Sequence, residues 1–358
     1  MKSPCALIMA GGTGGHIFPG LAVAEALRDK GWRVHWLGSK GAAGNPSMES
    51  QLVPPRGFIF ESIEFSGVRG KGAITFALLP LRLLKAFWQS IQVLRRVKPS
   101  VVVGFGGYIA FPAGLMSVLL GKPLVLHEQN SVAGMVNRVL AAVADKVFLA
   151  FPGALKNGEW IGNPMRAAFA TQAAPDDRFA DRTGPLRVLV LGGSLGAKAL
   201  NSVVPQALAL IPKASRPIVT HQSGMKQIDE LRANYSTAGV DAVLTPFIDD
   251  TATAFAQADL VICRAGASTV TEIAAVGVAA WFVPFPSAVD DHQTKNAQFL
   301  VEHGGGLLIH QTNLTPELLA NMLQKTERVA LVQQALQAKK MQKLGATARI
   351  VEVCEALA

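Results

Sequence analysis

Five short segments of this chain carry residue types suited to chemistry. Gly11-Gly12-Thr13-Gly14-Gly15-His16 follows an apolar run and precedes a helical pattern. Glycines at such a turn let backbone amides approach a phosphate or a sugar, and the helix N-terminus behind them favours negative charge. Four glycines in five residues exceed what a tight strand-to-helix turn requires. His16 falls at the expected first helical position. Its ordinary pKa of about 6.5 suits it to deprotonate a hydroxyl, or equally to hydrogen bonding that shapes the loop. Gly104-Phe105-Gly106-Gly107-Tyr108 repeats the arrangement. It makes either a second amide-lined concavity, fit for an acceptor's diphosphate, or a buried turn.

The second half begins in the same way, at Gly192-Gly193-Ser194. Further on, Gly266-Ala267-Ser268-Thr269-Val270-Thr271-Glu272 offers two readings. Thr269-x-x-Glu272 has the spacing of a capping box. Alternatively Glu272 accepts two ribose hydroxyls while the loop amides hold phosphate, each carboxylate–hydroxyl bond being worth roughly 1.5–3 kcal/mol. Asp290-Asp291-His292-Gln293-x-x-Asn296 clusters polar groups suited to sugar hydroxyls in a first helical turn. Capping by Asp290 or Asp291 would leave Gln293 unexplained, and adjacent residues rarely converge on one metal ion. Two phosphate motifs are excluded. GxGxxG fails at Ile17 and lacks an acidic residue near Leu37, and no GxxxxGK[ST] occurs.

These segments need strands and helices to hold them. Six apolar strand-like runs alternate with helical patterns in each half, from Ala6–Ala10 in the first and Arg187–Leu191 in the second. Their hydrophobicity is continuous rather than alternating, which marks parallel strands covered on both faces. The expected fold is therefore α/β, two similar doubly wound domains, with Thr171 to Pro185 as a linker. Ligands of such sheets bind beyond the carboxyl ends of the strands.

With 358 residues, half of them hydrophobic and 16% charged, the chain has ample material for two cores and is not disordered. Cys5, Cys263 and Cys354 form no CxxC pair, so neither a zinc site nor a disulfide framework is indicated, and a reducing cytoplasm is expected. The run Cys5 to Ala10 is too short for a signal peptide. Pro99 to Gly121 lacks charge, yet its β-branched valines, glycines and Pro112 indicate a buried strand, turn and helix rather than a membrane span. The net charge of +9 suits an anionic membrane surface or a phosphorylated substrate, and no nucleic-acid signature is present. From Ala73 to Val97, Arg82, Lys85, Gln89, Gln92 and Arg96 form a polar stripe opposite Leu83, Leu84, Phe87, Trp88, Ile91 and Leu94. This is a surface helix packed on its sheet, or an interfacial patch of Phe76, Leu79, Arg82, Lys85, Phe87 and Trp88 on an anionic bilayer.

Gly11 to Gly20 resembles the MurG family of bacterial peptidoglycan glycosyltransferases. The resemblance continues through Gly106-Gly107-Tyr108, His127-Glu128-Gln129-Asn130, Gly162-Asn163-Pro164-Met165-Arg166, Gly192-Gly193-Ser194, Phe247-Ile248-Asp249 and Gly266 to Glu272. It implies the GT-B fold, two facing Rossmann-like domains with a cleft between them. The domains would be residues 1–163 on the acceptor and membrane side, 164–340 on the UDP-sugar donor side, and a C-terminal helix at 341–358 packing back on the first. It implies transfer of N-acetylglucosamine from UDP-N-acetylglucosamine to lipid I, the undecaprenyl-diphospho-N-acetylmuramoyl-pentapeptide, giving lipid II with inversion and without a cofactor or metal. By position, Thr13, Gly14, Gly15 and Asn130 would surround donor sugar and acceptor, and Arg166 would contact the nucleotide. Ser194 would bind phosphate and Ile248 would hold uracil through its backbone. Ala267, Ser268, Thr269, Val270, Thr271 and Glu272 would embrace diphosphate and ribose, and Gln293 the sugar hydroxyls. His16, the candidate base, would lie near the acceptor with Gly106, Gly107 and Tyr108. The implied location is the cytoplasmic face of the bacterial inner membrane, bound peripherally through anionic lipids, with other cell-wall or division proteins as further candidate partners. Leu195 departs from the family's usual Gln. An isomerase of the same fold, a UDP-N-acetylglucosamine 2-epimerase, and a non-catalytic nucleotide-sugar sensor are the alternatives.

Overall fold

The computed structural model describes residues 3–42, 44–65, 78–193 and 196–358, and the chain divides into two units. Unit 1 comprises Met1–Met165 with Leu344–Ala358, and unit 2 comprises Arg166–Lys343.

The strands of unit 1 are β1 (Cys5–Met9), β2 (Arg33–Gly38), β3 (Gly41–Ala42), β4 (Asn45–Pro46), β5 (Ile59–Ser62), β6 (Val101–Gly104), β7 (Leu124–Glu128), β8 (Lys146–Leu149) and β9 (Glu159–Trp160). Seven form a parallel sheet in the order β5-β2-β1-β6-β7-β8-β9, while β3 and β4 pair as an antiparallel hairpin. Its helices include α1 (Gly14–Asp29), α2 (Met48–Leu52), α3 (Leu79–Val97), α4 (Ala110–Leu119) and α5 (Met135–Leu140). Every residue of β1 is buried because both sheet faces are covered. Ile8, Val103 and Trp36 pack with Leu21 and Leu27 of α1 on one face, and Leu7, Val102 and Leu126 with Val93, Ala113 and Leu140 on the other. The chain reverses direction of travel across the sheet between β1 and β6. Met9 pairs with Gly104, so the glycine turns that follow the two strands leave the sheet at one level.

Unit 2 repeats this plan. Its strands are β10 (Arg187–Leu191), β11 (Ile218–Gln222), β12 (Val243–Thr245), β13 (Leu260–Cys263), β14 (Ala279–Phe282) and β15 (Gly306–Leu308), in the parallel order β12-β11-β10-β13-β14-β15. The helices are α6 (Ala167–Ala170), α7 (Pro175–Phe179), α8 (Lys198–Ala209), α9 (Ile228–Ala238), α10 (Thr251–Gln257), α11 (Ala267–Val276), α12 (His292–Val301), α13 (Pro316–Lys325) and α14 (Arg328–Lys340). Leu191 pairs with Cys263, again bringing two βα turns out side by side. The last helix, α15 (Ala346–Leu357), belongs to unit 1, where Ile350, Val351 and Cys354 join the core beneath α1.

Two expectations are corrected. The stretch from Thr171 to Pro185 is not a loose linker. Arg178 donates to the carbonyls of Ala256 and Val276 (2.9 and 3.1 Å) and of Gly277, and Arg182 to those of Gln257 and Ala258 (3.1 Å each). Two guanidinium groups thus satisfy the terminal carbonyls of α10 and α11, where a positive charge also suits the helix dipole. On α3, the buried stripe is Ala86, Ser90, Val93, Leu94 and Val97, so Leu84 and Trp88 face solvent instead of the sheet. Phe87 is half-buried against Phe111. Small residues let α3 lie close to α4, and that fixes which face turns inward.

Asp259 is fully buried between Arg182 (2.9 Å) and Arg328 (3.2 Å). Replacing it with Ala strands two guanidiniums in low dielectric. We expect a loss of roughly 3–5 kcal/mol in the stability of unit 2, seen as an earlier urea unfolding midpoint.

Candidate active site

In unit 1 the turns after β1 and β6 meet backbone to backbone. Gly107, at φ +82°, approaches so closely that a Cβ would stand 2.6 Å from the carbonyl oxygen of Gly11. Gly106, at φ +89°, lies against both His16 and Asn137, with a Cβ there 3.5 Å from the imidazole and 3.3 Å from the amide nitrogen. Only glycine takes this conformation and this spacing without strain. Helix α1 starts at Gly14, so His16 is its third residue rather than its first, and its Nδ1 lies 3.4 Å from the Thr13 hydroxyl. Thr13 and Gly15 flank it on the same turn. No acidic residue occupies the first turn of α1, which leaves its amide end positive. Tyr108 is half-buried, hydrogen-bonded to Ser39, and its phenol is pushed above the usual tyrosine range by burial and by the charge of Glu49.

The segment at the end of β7 is a polar knot. His127 is fully buried and held down at about 4 by that burial, so it is neutral. Its Nε2 therefore donates to the carbonyl of Gly162 (2.9 Å), and its Nδ1 accepts from the Gln129 amide (3.0 Å). Glu128 accepts from the backbone N–H groups of Asn130 (2.8 Å) and Gly134 (3.1 Å) and from the Asn137 side chain (2.9 Å). Its carboxyl is raised by burial, which those bonds oppose. Asn130 is thus placed by Glu128. Sequence reasoning quoted Glu128 but gave it no role; the signal was a carboxylate two residues before an expected ligand-binding Asn.

In unit 2 the capping box does not form. Gly266 is the N-cap of α11, Thr269 its third residue and Glu272 its sixth. Glycine at the cap moves the helix start three residues upstream and frees Glu272 from the helix end. Burial pushes the Glu272 carboxyl up to about 8, with the Arg166 guanidinium pulling the other way. Arg166 is itself held, donating to the Asp249 carbonyl (3.1 Å) and the Thr251 hydroxyl (3.0 Å) beside Ile248. The buried Gln222 donates to the carbonyls of Gly193 (3.1 Å) and Pro246 (3.0 Å), clamping the third glycine turn to the segment that carries Ile248. Nothing in the motif pattern marked Gln222.

Other members of the predicted set are placed differently. Val270 is fully buried in the unit, so its side chain does not reach the surface. The Thr271 hydroxyl donates to the carbonyls of Ala267 and Ser268, both at 3.0 Å. Ser268 and Thr269 remain half-exposed. Gln293, in the first turn of α12, accepts from the Phe285 N–H (2.9 Å). Asp290 and Asp291 both adopt left-handed backbone, and Asp291 accepts from the Thr294 hydroxyl (2.6 Å) without capping α12 through its side chain. Ser194, Leu195 and Phe76 lie outside the described residues. Leu79, Arg82, Lys85 and Trp88 lie on α3.

The N-terminal domain of glycosyltransferase family 28 matches residues 6–149, and the family's C-terminal domain matches residues 187–352. A protein of Polaromonas naphthalenivorans (strain CJ2) is 76% identical over 100% of this chain and 99% of its own. It is named UDP-N-acetylglucosamine--N-acetylmuramyl-(pentapeptide) pyrophosphoryl-undecaprenol N-acetylglucosamine transferase. A protein of the same name from Ralstonia nicotianae (strain ATCC BAA-1114 / GMI1000) is 61% identical, over 98% of this chain and 96% of its own. The crystal structure of Acinetobacter baumannii MurG superposes with a TM-score of 0.83 at 38% identity, covering 99% of both chains. The calicheamicin glycosyltransferase, at 15% identity and a TM-score of 0.68 over 100% of this chain and 98% of its own, shares the fold alone. With two parallel α/β units of the GT-B class and both family domains in order, this chain belongs to glycosyltransferase family 28.

Proposed function

We propose that this chain transfers N-acetylglucosamine from UDP-N-acetylglucosamine to the lipid-linked N-acetylmuramoyl-pentapeptide, lipid I, giving lipid II for peptidoglycan synthesis. The near end-to-end identity with proteins so named supports the substrates. The observation that carries the donor reading is Glu272, a carboxyl freed from capping and held in the field of Arg166. As carboxylate it accepts two ribose hydroxyls, while Ile248 offers backbone to the uracil. Ser194, the amides of Ala267 to Thr271 and the side chains of Ser268 and Thr269 take the diphosphate, and Gln293 takes sugar hydroxyls.

In the reaction the acceptor hydroxyl attacks the anomeric carbon. Its proton passes to a base, for which His16 is the candidate. The sugar–phosphate bond breaks with its electron pair on UDP, and the anomeric centre inverts. The amide end of α11 and Arg166 meet the charge that develops on the leaving diphosphate. Gly14, Gly15, Gly106 and Gly107 present amides to the acceptor, with Thr13, Tyr108 and Asn130 beside them.

Lipid I is held in a membrane, and none of the described helices is long and apolar enough to cross one. Leu81, Leu84 and Trp88 are 64%, 65% and 60% exposed on α3 beside Arg82, Lys85 and Arg95. We assign this surface to peripheral contact with anionic lipid at the cytoplasmic face of the inner membrane. Lipid II supply then ties the chain to cell shape and division.

The deciding experiment follows UDP release with and without a short-chain lipid I analogue. Acceptor-dependent release with a disaccharide product is expected; conversion without acceptor would favour an epimerase, and binding without turnover a sensor. Glu272→Gln should weaken UDP binding about 10- to 100-fold. Wild-type binding should strengthen as pH rises through about 8, where Glu272 loses its proton, and the variant's should stay flat in that window. Separately, changing Leu84 and Trp88 to Ser and Arg82 to Gln should lower binding to anionic liposomes at least about tenfold. Activity on a soluble acceptor should be retained, and unchanged liposome binding would refute the membrane assignment.

A further inference from the structure

We propose that Glu49 is a positioning residue for the transfer, its buried carboxylate holding the first glycine turn and Tyr108 in their working arrangement. The inference rests on the proposed transferase reaction. Glu49 lies in the first turn of the short helix α2, which Ser47 caps by accepting from the Ser50 N–H (3.1 Å). It is fully buried. A carboxylate in such a place is costly unless hydrogen-bonded, and packing alone would favour an apolar residue. Here the two oxygens divide between two turns: Oε2 accepts from the Gly12 N–H (3.3 Å) and Oε1 from the Ser39 N–H (3.1 Å). Both amides belong to chain that has just left the carboxyl end of a strand, β1 in one case and β2 in the other.

Space has been cleared for this group. A Cβ on Gly11 would lie 2.7 Å from Oε1, and one on Gly38 would lie 2.7 Å from Cγ. Ser39 in turn hydrogen-bonds the Tyr108 hydroxyl, and the Tyr108 ring edge lies 3.9 Å from where a Cβ on Gly12 would stand. One carboxylate therefore couples the turn carrying Thr13 and His16 to the turn carrying Gly106, Gly107 and Tyr108.

Glu49→Gln keeps the volume but presents an amide NH2 toward one of the two N–H donors, so one turn must move. The test combines kinetics with a tyrosine titration. The chain has two tyrosines, and burial holds Tyr235 far above the ordinary range, so tyrosinate absorbance on raising the pH reports Tyr108. Because the Glu49 charge raises Tyr108, Glu49→Gln should lower that midpoint. It should also lower kcat about 10- to 100-fold while KM for UDP-N-acetylglucosamine, bound by unit 2, moves less than about threefold. An unmoved midpoint, or an unchanged kcat, overturns the proposal. Should Glu49→Gln lose its fold, Glu49→Asp serves, keeping the charge on a shorter arm. Its kcat should fall without lowering the Tyr108 midpoint, and an unchanged kcat again overturns the role. Absence of acceptor-dependent turnover in the wild-type chain would instead remove the proposed function itself.

Discussion

The contact of the Gly107 backbone with the Gly11 carbonyl is the constraint from which the geometry of the unit 1 glycine turns follows. In a doubly wound sheet the crossovers on either side of the first strand run in opposite directions, so the turns after β1 and β6 emerge as neighbours with no helix between them. Their backbones must share one strand spacing. A side chain at Gly107 would fill that space and face a left-handed backbone as well. What results is a close-packed pair of glycine turns backed by His16 and Asn137, with the Tyr108 ring at its edge. Turns of this kind can approach a diphosphate or a sugar closely.

In unit 2 a comparable close approach lies between the turn after β10 and the end of β11. Gly196, also left-handed, sits where a Cβ would fall 2.3 Å from the Ser223 carbonyl. The approach is secured from beneath by a buried polar chain. Asn201 donates to that carbonyl (3.1 Å) and to Gln227 (2.8 Å), His221 lies 3.1 Å from the Asn201 oxygen, and Tyr235 lies 3.0 Å from the other ring nitrogen. Burial drives His221 down to about 3, so it stays neutral and its two nitrogens keep distinct donor and acceptor roles. A fully satisfied network of this kind fixes one arrangement, whereas a half-satisfied one would be worse than an apolar core.

Much of this was legible in the residues. Each apolar run falls on a strand because strands covered on both faces cannot alternate. The glycine clusters after β1 and β6 fall at the switch point, where two turns leave the sheet side by side and their backbones crowd. The failures have physical causes too. Thr269-x-x-Glu272 has a capping box's spacing as one of two readings, but Gly266 starts the helix earlier, and local spacing cannot reveal which of two caps wins. The stretch after Thr171 has a loop's composition, yet Arg178 and Arg182 find helix carbonyls many residues away. On α3, amphipathic periodicity gave a stripe, but close approach to α4 selected the small residues Ala86 and Ser90 for the inward face. Glu49 and Gln222 act on backbone groups of distant turns and leave no motif.

Three carboxyl groups near these turns differ in how far hydrogen bonds satisfy them. Glu49 and Glu128 are buried and each accepts backbone N–H groups from two separate points of the chain, so their charge is used up in holding loops. Glu272 is different. Its desolvation is offset among the described residues by the field of Arg166, and its proton is held up to about 8. A carboxyl left in that condition is destabilising when ionised: with its pKa raised on folding, stability falls as pH climbs from the ordinary carboxylate range through about 8. The chain tolerates this cost at one position while spending backbone donors freely on the other two. In the donor site proposed above, ribose hydroxyls donating to Glu272 would offset that deficit on binding.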